Sequence, residues 1–179
     1  RLMVMLPPRH SKSEFASTYF PAWMMGLNPA LKIIQATHTA ELAVRFGRRV
    51  RNIIDSQEYQ NVFPNVSLSA DNKSAGRWTT DDGGEAFYSG VGGAITGRGA
   101  DLLIIDDPHS EQDAMSPTAM ESAWEWYTSG PRQRLQPGGT IVLVMTRWSH
   151  KDLAGRLLKR QSEENADQWE VVELSLIHI

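Results

Sequence analysis

Two pairs of side chains in this 179-residue chain have the types needed to handle phosphate and a divalent cation. The first pair is Lys12-Ser13, which follows an apolar run Leu2-Met-Val-Met-Leu6 and a short loop Pro7-Pro-Arg-His-Ser11. A lysine and a hydroxyl between a buried strand and a helix form the layout of a phosphate-binding loop, usually written G-x-x-x-x-G-K-[ST]. Leu6 and Ser11 stand at the two glycine positions, so a strict pattern search would miss this loop. Its chemistry is legible all the same. Lys12 is placed to meet the β- and γ-phosphates, Ser13 Oγ to ligate Mg²⁺, and the stretch Pro8, Arg9, His10, Ser11 to cradle the anion ahead of a helix N-terminus. A Lys-Ser pair opening a helix is by itself more often a solvated first turn. The reading gains force only if a second, acidic strand follows.

That strand is present: Leu102-Leu-Ile-Ile105 delivers Asp106-Asp107-Pro108. Charges at the C-terminal end of a strand lie where open α/β sheets bind ligands. Asp106 is the candidate to hold Mg²⁺, and Asp107 the candidate to orient and deprotonate an attacking water, with Glu111 as the alternative base. Asp-Asp-Pro in isolation usually just caps a turn; the upstream Lys12-Ser13 makes the catalytic reading the better one. A third strand, Ile141-Val-Leu-Val-Met145, ends in Thr146-Arg147. In ATPases that insert a strand between the lysine-bearing and acid-bearing strands, a polar residue there senses the γ-phosphate, and Thr146 takes that position. Arg9, inside the loop, and Arg98, between Gly97 and Gly99, are candidates for stabilising charge on the transferring phosphoryl group. For each, an exposed loop arginine is the plainer alternative.

The elements that must position these groups alternate between strand and helix patterns, which predicts an α/β fold with a mostly parallel sheet. A helix is expected over 13–25 with a kink or break at Pro21, then a turn at Asn28-Pro29 and a strand over 31–37. Thr39 is expected to cap a helix reaching about Asp55, with Leu42, Phe46, Val50 and Ile53 on one apolar stripe. Residues 65–90 read as a β-hairpin region inserted in the alternation, turning at Asp82-Gly83-Gly84. Ser116-Pro117 opens a helix by N-cap and N1 chemistry, and Pro137-Gly138-Gly139 is expected to turn into the strand over 140–145. A last amphipathic helix is expected over about 151–164, followed by a strand at 170–174.

Composition narrows the class. With 41% hydrophobic and 22% charged residues in 20.0 kDa, the chain suits one globular domain. Its formal net charge of -3 argues against a free-standing basic nucleic-acid binder, though not against DNA contact through a local patch. No cysteine is present, so disulfides and thiolate metal sites are excluded. No apolar run reaches membrane-spanning length. Both ends read as cut from something longer, with residues 1–174 as the domain and 175–179 expected to be a non-native tail. His10, His38, His109 and His150 lack metal-ligand spacing and are expected in neutral surface or turn roles. Trp124, Trp126 and Tyr127 are expected in the core rather than stacking bases, and Arg45, Arg48, Arg49 and Arg51 on a solvated helix face.

The order of these parts is specific. Pro7-Pro-Arg-His-Ser-Lys-Ser-Glu14, Ala40-Glu-Leu-Ala43 with Phe46-Gly-Arg48, Gly97-Arg-Gly-Ala-Asp-Leu-Leu-Ile-Ile-Asp-Asp-Pro108, and Thr146-Arg-Trp148 with Asp152-Leu-Ala-Gly155 follow one another along the chain. Together they resemble the ATPase domain of the large terminase subunit of tailed bacteriophages and prophages. The resemblance implies a P-loop NTPase of the RecA-like, additional-strand type, using ATP and Mg²⁺ to drive double-stranded DNA into a procapsid. It also implies a homo-oligomeric ring, commonly a pentamer, docked on the portal protein, with a small terminase subunit as partner, in the bacterial host cytoplasm. A C-terminal nuclease domain belongs to such proteins and is absent from this sequence, so no nuclease activity is expected of it. Carried over by position, Lys12 and Ser13 match the loop lysine and hydroxyl, Asp106 and Asp107 the acidic pair, and Thr146 the coupling position. Arg98 matches an arginine proposed in relatives to reach a neighbouring subunit's site. Ser11 departs from the usual glycine, where its Cβ is expected to crowd the loop; Arg9 stands one place nearer the lysine than in many relatives, and Ser149 replaces a histidine. Two rival readings stand beside this one. One is a superfamily 2 helicase-like translocase, since Asp106-Asp-Pro-His109 mimics a DExH box. The other is an assembly module that holds nucleotide without hydrolysing it.

Overall fold

A computed structural model describes residues 1–95 and 97–174; the expected tail 175–179 lies outside the described residues. Its strands are β1 (Leu2–Met5), β2 (Lys32–Thr37), β3 (Leu68–Lys73), β4 (Arg77–Thr80), β5 (Glu85–Gly90), β6 (Ala100–Asp106), β7 (Leu135–Met145) and β8 (Glu170–Glu173). They form one sheet in the order β3-β4-β5-β2-β6-β7-β1-β8. All pairings from β5 to β8 are parallel, and β3 and β4 extend the sheet antiparallel. The expected hairpin region is thus the sheet's own antiparallel wing, entered through β5. β7 lies between β1 and β6, as the additional-strand arrangement requires.

Sandwiching explains why the central strands are almost purely aliphatic: a parallel sheet covered on both faces needs apolar residues at every position. Along β6, Leu102 and Ile104 face one layer while Leu103 and Ile105 face the other, the two-residue period of a strand. The first layer holds α2 (Phe20–Leu27) and α3 (Ala40–Ile54), which contribute Met25, Phe46, Val50 and Ile54. The second holds α6 (Pro117–Ser129) and α7 (Leu153–Arg160), which contribute Trp126, Tyr127, Leu153 and Leu157. Trp126 and Tyr127 are therefore core residues, as expected. No helix among the described residues is long and apolar enough to cross a membrane.

Three local expectations need correction. Pro21 does not break its helix. α1 (Lys12–Glu14), a π-helical turn (Phe15–Tyr19) and α2 run on as one helical stretch, with Pro21 in the first turn of α2, where a missing N–H is tolerated. The π turn returns the Phe20 N–H to the Phe15 carbonyl. Gln35 of β2 donates from Nε2 to the Ser17 carbonyl at 3.1 Å. Nor do Pro137-Gly138-Gly139 precede the strand. They lie inside β7, where the register against β6 shifts and Gly138 takes φ 81°. Finally, α4 (Gln57–Val62) and α5 (Glu111–Ala114) were not anticipated. Ser56 caps the first; Ser110 and Asp113 form a reciprocal capping box for the second, a Ser-x-x-Asp signature visible in the sequence.

Candidate functional site

The C-terminal ends of β1, β6 and β7 meet at one edge, and the residues that follow them are joined side chain to side chain. Lys12 Nζ sits 2.7 Å from Asp107 Oδ2. Ser13 Oγ donates to Asp106 Oδ1 at 3.1 Å, and Ser17 Oγ donates to Asp106 Oδ2 at 2.7 Å. The Thr146 amide donates to Asp107 Oδ1 at 2.9 Å, while Thr146 Oγ1 reaches the Leu6 carbonyl at 3.4 Å. Asp107 itself has φ 42° and donates its amide to the Val144 carbonyl at 2.8 Å. Thr146 therefore touches both the second acidic residue and the start of the loop.

The loop owes its shape to two left-handed residues, Arg9 at φ 65° and Ser11 at φ 58°. Ser11 occupies the second glycine position of the loop pattern, and the left-handed backbone there is the reason glycine is usual. With serine exposed at that position, the cost is backbone strain, about 1–2 kcal/mol, rather than the crowding expected from the sequence. His10 Nδ1 lies 2.8 Å from the Pro8 carbonyl, and the Phe15 amide donates to the Ser11 carbonyl at 3.1 Å, so the helical stretch starts as soon as the loop ends.

Electrostatics set the two aspartates apart. Asp106 is 1% exposed, and burial pushes its carboxyl up to about 6; the Ser17 hydrogen bond opposes this, Asp107 adds to it, and Ser13 and Lys12 oppose it. Asp107 is more open and carries the Lys12 ion pair. Behind them, Asp152 is fully buried and caps α7. Burial pushes its carboxyl up, but the amides of Ser149, Gly155 and Trp148, with the Arg147 guanidinium, outweigh this and hold it low. His109 is not the surface residue expected. It is 3% exposed, and its Nε2 accepts the Leu153 amide at 3.1 Å, tying the segment after the acidic pair to the start of α7. Burial lowers its pKa, partly opposed by Asp152 and Asp113.

Of the residues singled out in the sequence, Lys12, Ser13, Asp106, Asp107 and Thr146 converge, and Pro8, Arg9, His10 and Ser11 form the loop beside them. Arg98 does not join them. It precedes the first residue of β6, whereas Asp106 is the last, and it pairs with Glu85 at 3.3 Å and lies over the Phe87 ring at 4.1 Å. Arg9 is exposed at the loop tip, and Glu111 is exposed at the start of α5, outside this network. In the basic helix α3, Arg49 pairs with Glu14, and Arg45 and Arg48 are exposed. Sequence reasoning missed Ser17. Its only signal was a second hydroxyl four residues after Ser13, on the same helical face.

Mg²⁺ suits this donor set. It favours hard oxygen ligands and is usually held by one or two carboxylates together with substrate phosphates. Ser13 Oγ and Asp106 Oδ1 are oxygens 3.1 Å apart beside the loop, and Ser17 fixes the other carboxylate oxygen. Among the described residues, no group of three His, Cys, Asp or Glu forms a metal cage of its own.

Strand order and site geometry together define an α/β P-loop NTPase fold of the additional-strand type. The solved structures that share it are large terminases of bacteriophages. The HK97 bacteriophage large terminase superposes with a TM-score of 0.56 at 12% identity, covering 97% of this chain and 35% of that one. The large terminase of a thermophilic bacteriophage, in complex with ADP, gives 0.54 at 12% identity, covering 97% of this chain and 39% of that one. The chain thus spans between a third and two fifths of the length of these terminases. No protein-family model and no curated protein matches it.

Proposed function

We propose that the chain is the ATP-hydrolysing motor domain of a phage DNA-packaging terminase, driving double-stranded DNA into a procapsid. The observation that carries this reading is the convergence of Lys12, Ser13, Asp106, Asp107 and Thr146 at the ends of β1, β6 and β7. The ADP complex of the thermophilic phage's terminase, which has the same fold, supports a nucleotide as the ligand.

In this reading Lys12 binds the β- and γ-phosphates, and Ser13 and Asp106 hold Mg²⁺, which when bound neutralises phosphate charge. Lys12 and Asp107 pair in the structure, so a phosphate that draws Lys12 away frees Asp107 Oδ2. Asp107 then takes a proton from water as the water oxygen bonds to the γ-phosphorus and the β–γ bridging P–O bond breaks. Thr146, bonded to both Asp107 and Leu6, relays the change to β7. The proposed assembly is a homo-oligomeric ring with the portal protein and the small terminase subunit as partners, and Arg98 serving a neighbour's site. Replacing Lys12 tests the core of this reading. Lys12→Ala is expected to abolish DNA-stimulated ATPase activity, measured by phosphate release; unchanged turnover would show the loop assignment to be wrong.

A further inference from the structure

Next to the loop an open groove of about 630 Å³ runs along the helical stretch that begins at Lys12. Val4 and Val142 form its floor, Phe15 and Tyr19 line its helical wall, and His10 and Lys12 close the end at the loop. Its surface is almost wholly apolar, yet Phe15 is 67% exposed and Tyr19 52%. These two large aromatics, held open to solvent just after a phosphate-binding lysine, contrast with Ser17, Ala22 and Met25 of the same helical stretch, which are buried. The π-helical turn accounts for the division. It sets Ser17 toward Asp106 while Phe15 and Tyr19 face the groove, and such turns concentrate at functional sites.

A nucleotide with its γ-phosphate toward Asp107 must send its base away along the triphosphate. On the acidic side the space is closed by the bonds among Ser13, Ser17, Asp106, Asp107 and Thr146. The groove is the apolar space that shares Lys12 with the phosphate site. An exposed aromatic ring at its near end offers a stacking surface, and every base has a π-face to stack on it. Readers of a base's hydrogen-bonding edge are scarce. Among the described residues no carboxylate or carboxamide lines the groove, and His10 already engages the Pro8 carbonyl through Nδ1.

We infer that Phe15 is the stacking platform for the nucleobase, and that this site selects nucleoside triphosphates by stacking rather than by base-edge readout. Purines are therefore preferred over pyrimidines, and ATP and GTP bind within a few-fold of each other. The inference rests on the reading of Lys12-Ser13 as a phosphate site.

Binding is measured by calorimetry with Mg²⁺ present, using ATP, GTP, UTP and base-free tripolyphosphate on the wild type and on Phe15→Ala, Phe15→Trp and Lys12→Ala. Phe15→Ala is expected to weaken ATP about tenfold or more, the size of one base–aromatic stack, and to leave tripolyphosphate unchanged. Phe15→Trp is expected to restore ATP binding. Since Phe15 is mostly exposed, the variants should fold, and an unchanged melting temperature confirms it. If Lys12→Ala abolishes binding of both ligands but Phe15→Ala alters neither, the phosphate reading stands and the base platform is refuted, leaving the groove to a protein segment. Equal weakening of ATP and tripolyphosphate by Phe15→Ala also refutes it. If the wild type binds neither ligand, the phosphate reading fails and takes the platform with it.

Discussion

Replacing Asp106 by asparagine should stabilise the protein while disabling it. Asp106 is almost fully buried, and its carboxyl titrates near 6 in the folded chain against an ordinary value of 3.8. A raised acid binds its proton more tightly when folded, so its contribution to stability is complete below pH 4 and is lost as pH rises through about 6. The shift of about two pKa units corresponds to about 3 kcal/mol lost by pH 7. Asparagine has no charge to bury, and the hydroxyls of Ser13 and Ser17 can turn to accept from its amide. In EDTA at pH 8, Asp106→Asn is therefore expected to melt higher than the wild type. At roughly 2–4 °C per kcal/mol for a chain of this size, the ceiling is about 10 °C. The gap should close as pH falls toward 4. Thermal unfolding followed by circular dichroism from pH 4 to 8 reads the difference between the two proteins, which cancels carboxylates common to both. A variant less stable than the wild type at pH 8, or a gap that does not change with pH, would refute the argument that Asp106 is held at an energetic loss.

Asp107→Asn should separate binding from turnover: without its carboxylate partner Lys12 is freer to meet phosphate, so ATP affinity is expected to hold or rise, while single-turnover hydrolysis falls about 10²–10⁴-fold, the range for a general base. Arg98→Ala should leave ATP affinity unchanged, because Arg98 stands apart from its own chain's site, and should lower ATPase only in assembled rings. Mixing it with Lys12→Ala subunits checks this: recovery of activity in mixed rings is the expected sign of an arginine acting across the subunit boundary, and the absence of any effect in rings would remove Arg98 from the mechanism.

Five site residues were legible because each stands at the end of an apolar run, where a strand must stop and the following side chain is delivered to the sheet edge. Lys12 and Ser13 follow β1, Asp106 and Asp107 close β6, and Thr146 follows β7. Strand spacing does not depend on packing detail, so such positions survive uncertainty about everything between them. Ser17 was not legible, because its aim depends on the π turn, a departure from regular helix that no hydrophobic period encodes. Pro21 misled for a related reason: its missing N–H breaks a regular helix interior, yet here it falls in the first turn of α2. His109 read as a surface residue because its acceptor role depends on the Leu153 amide, brought to it only when α7 packs. Arg98, eight residues before Asp106, reads in the sequence as a neighbour of the site. Most of that separation is extended strand, and extended strand carries it to the other end of β6.

The same geometry explains why the site is built from contacts that substrate must exchange. Lys12 is mostly buried, and Asp107 satisfies it; Asp106 is buried with two hydroxyls as partners. Neither arrangement is a deep minimum. A buried ion pair owes much of its Coulomb energy to desolvation already suffered, and Asp106 resists ionisation. Phosphate with Mg²⁺ improves both at once: Lys12 gains a multiply charged partner, and Asp106 gains a positive charge that favours its ionised form. The two changes meet at Asp107, which loses Lys12 yet stays anchored by the Thr146 amide at 2.9 Å. A carboxylate released on one oxygen and held on the other is a base whose direction is fixed before its proton-accepting oxygen becomes available. In this arrangement the arrival of substrate, rather than a separate movement of the acid, exposes the base, and Thr146 is the first residue outside the phosphate site to register it.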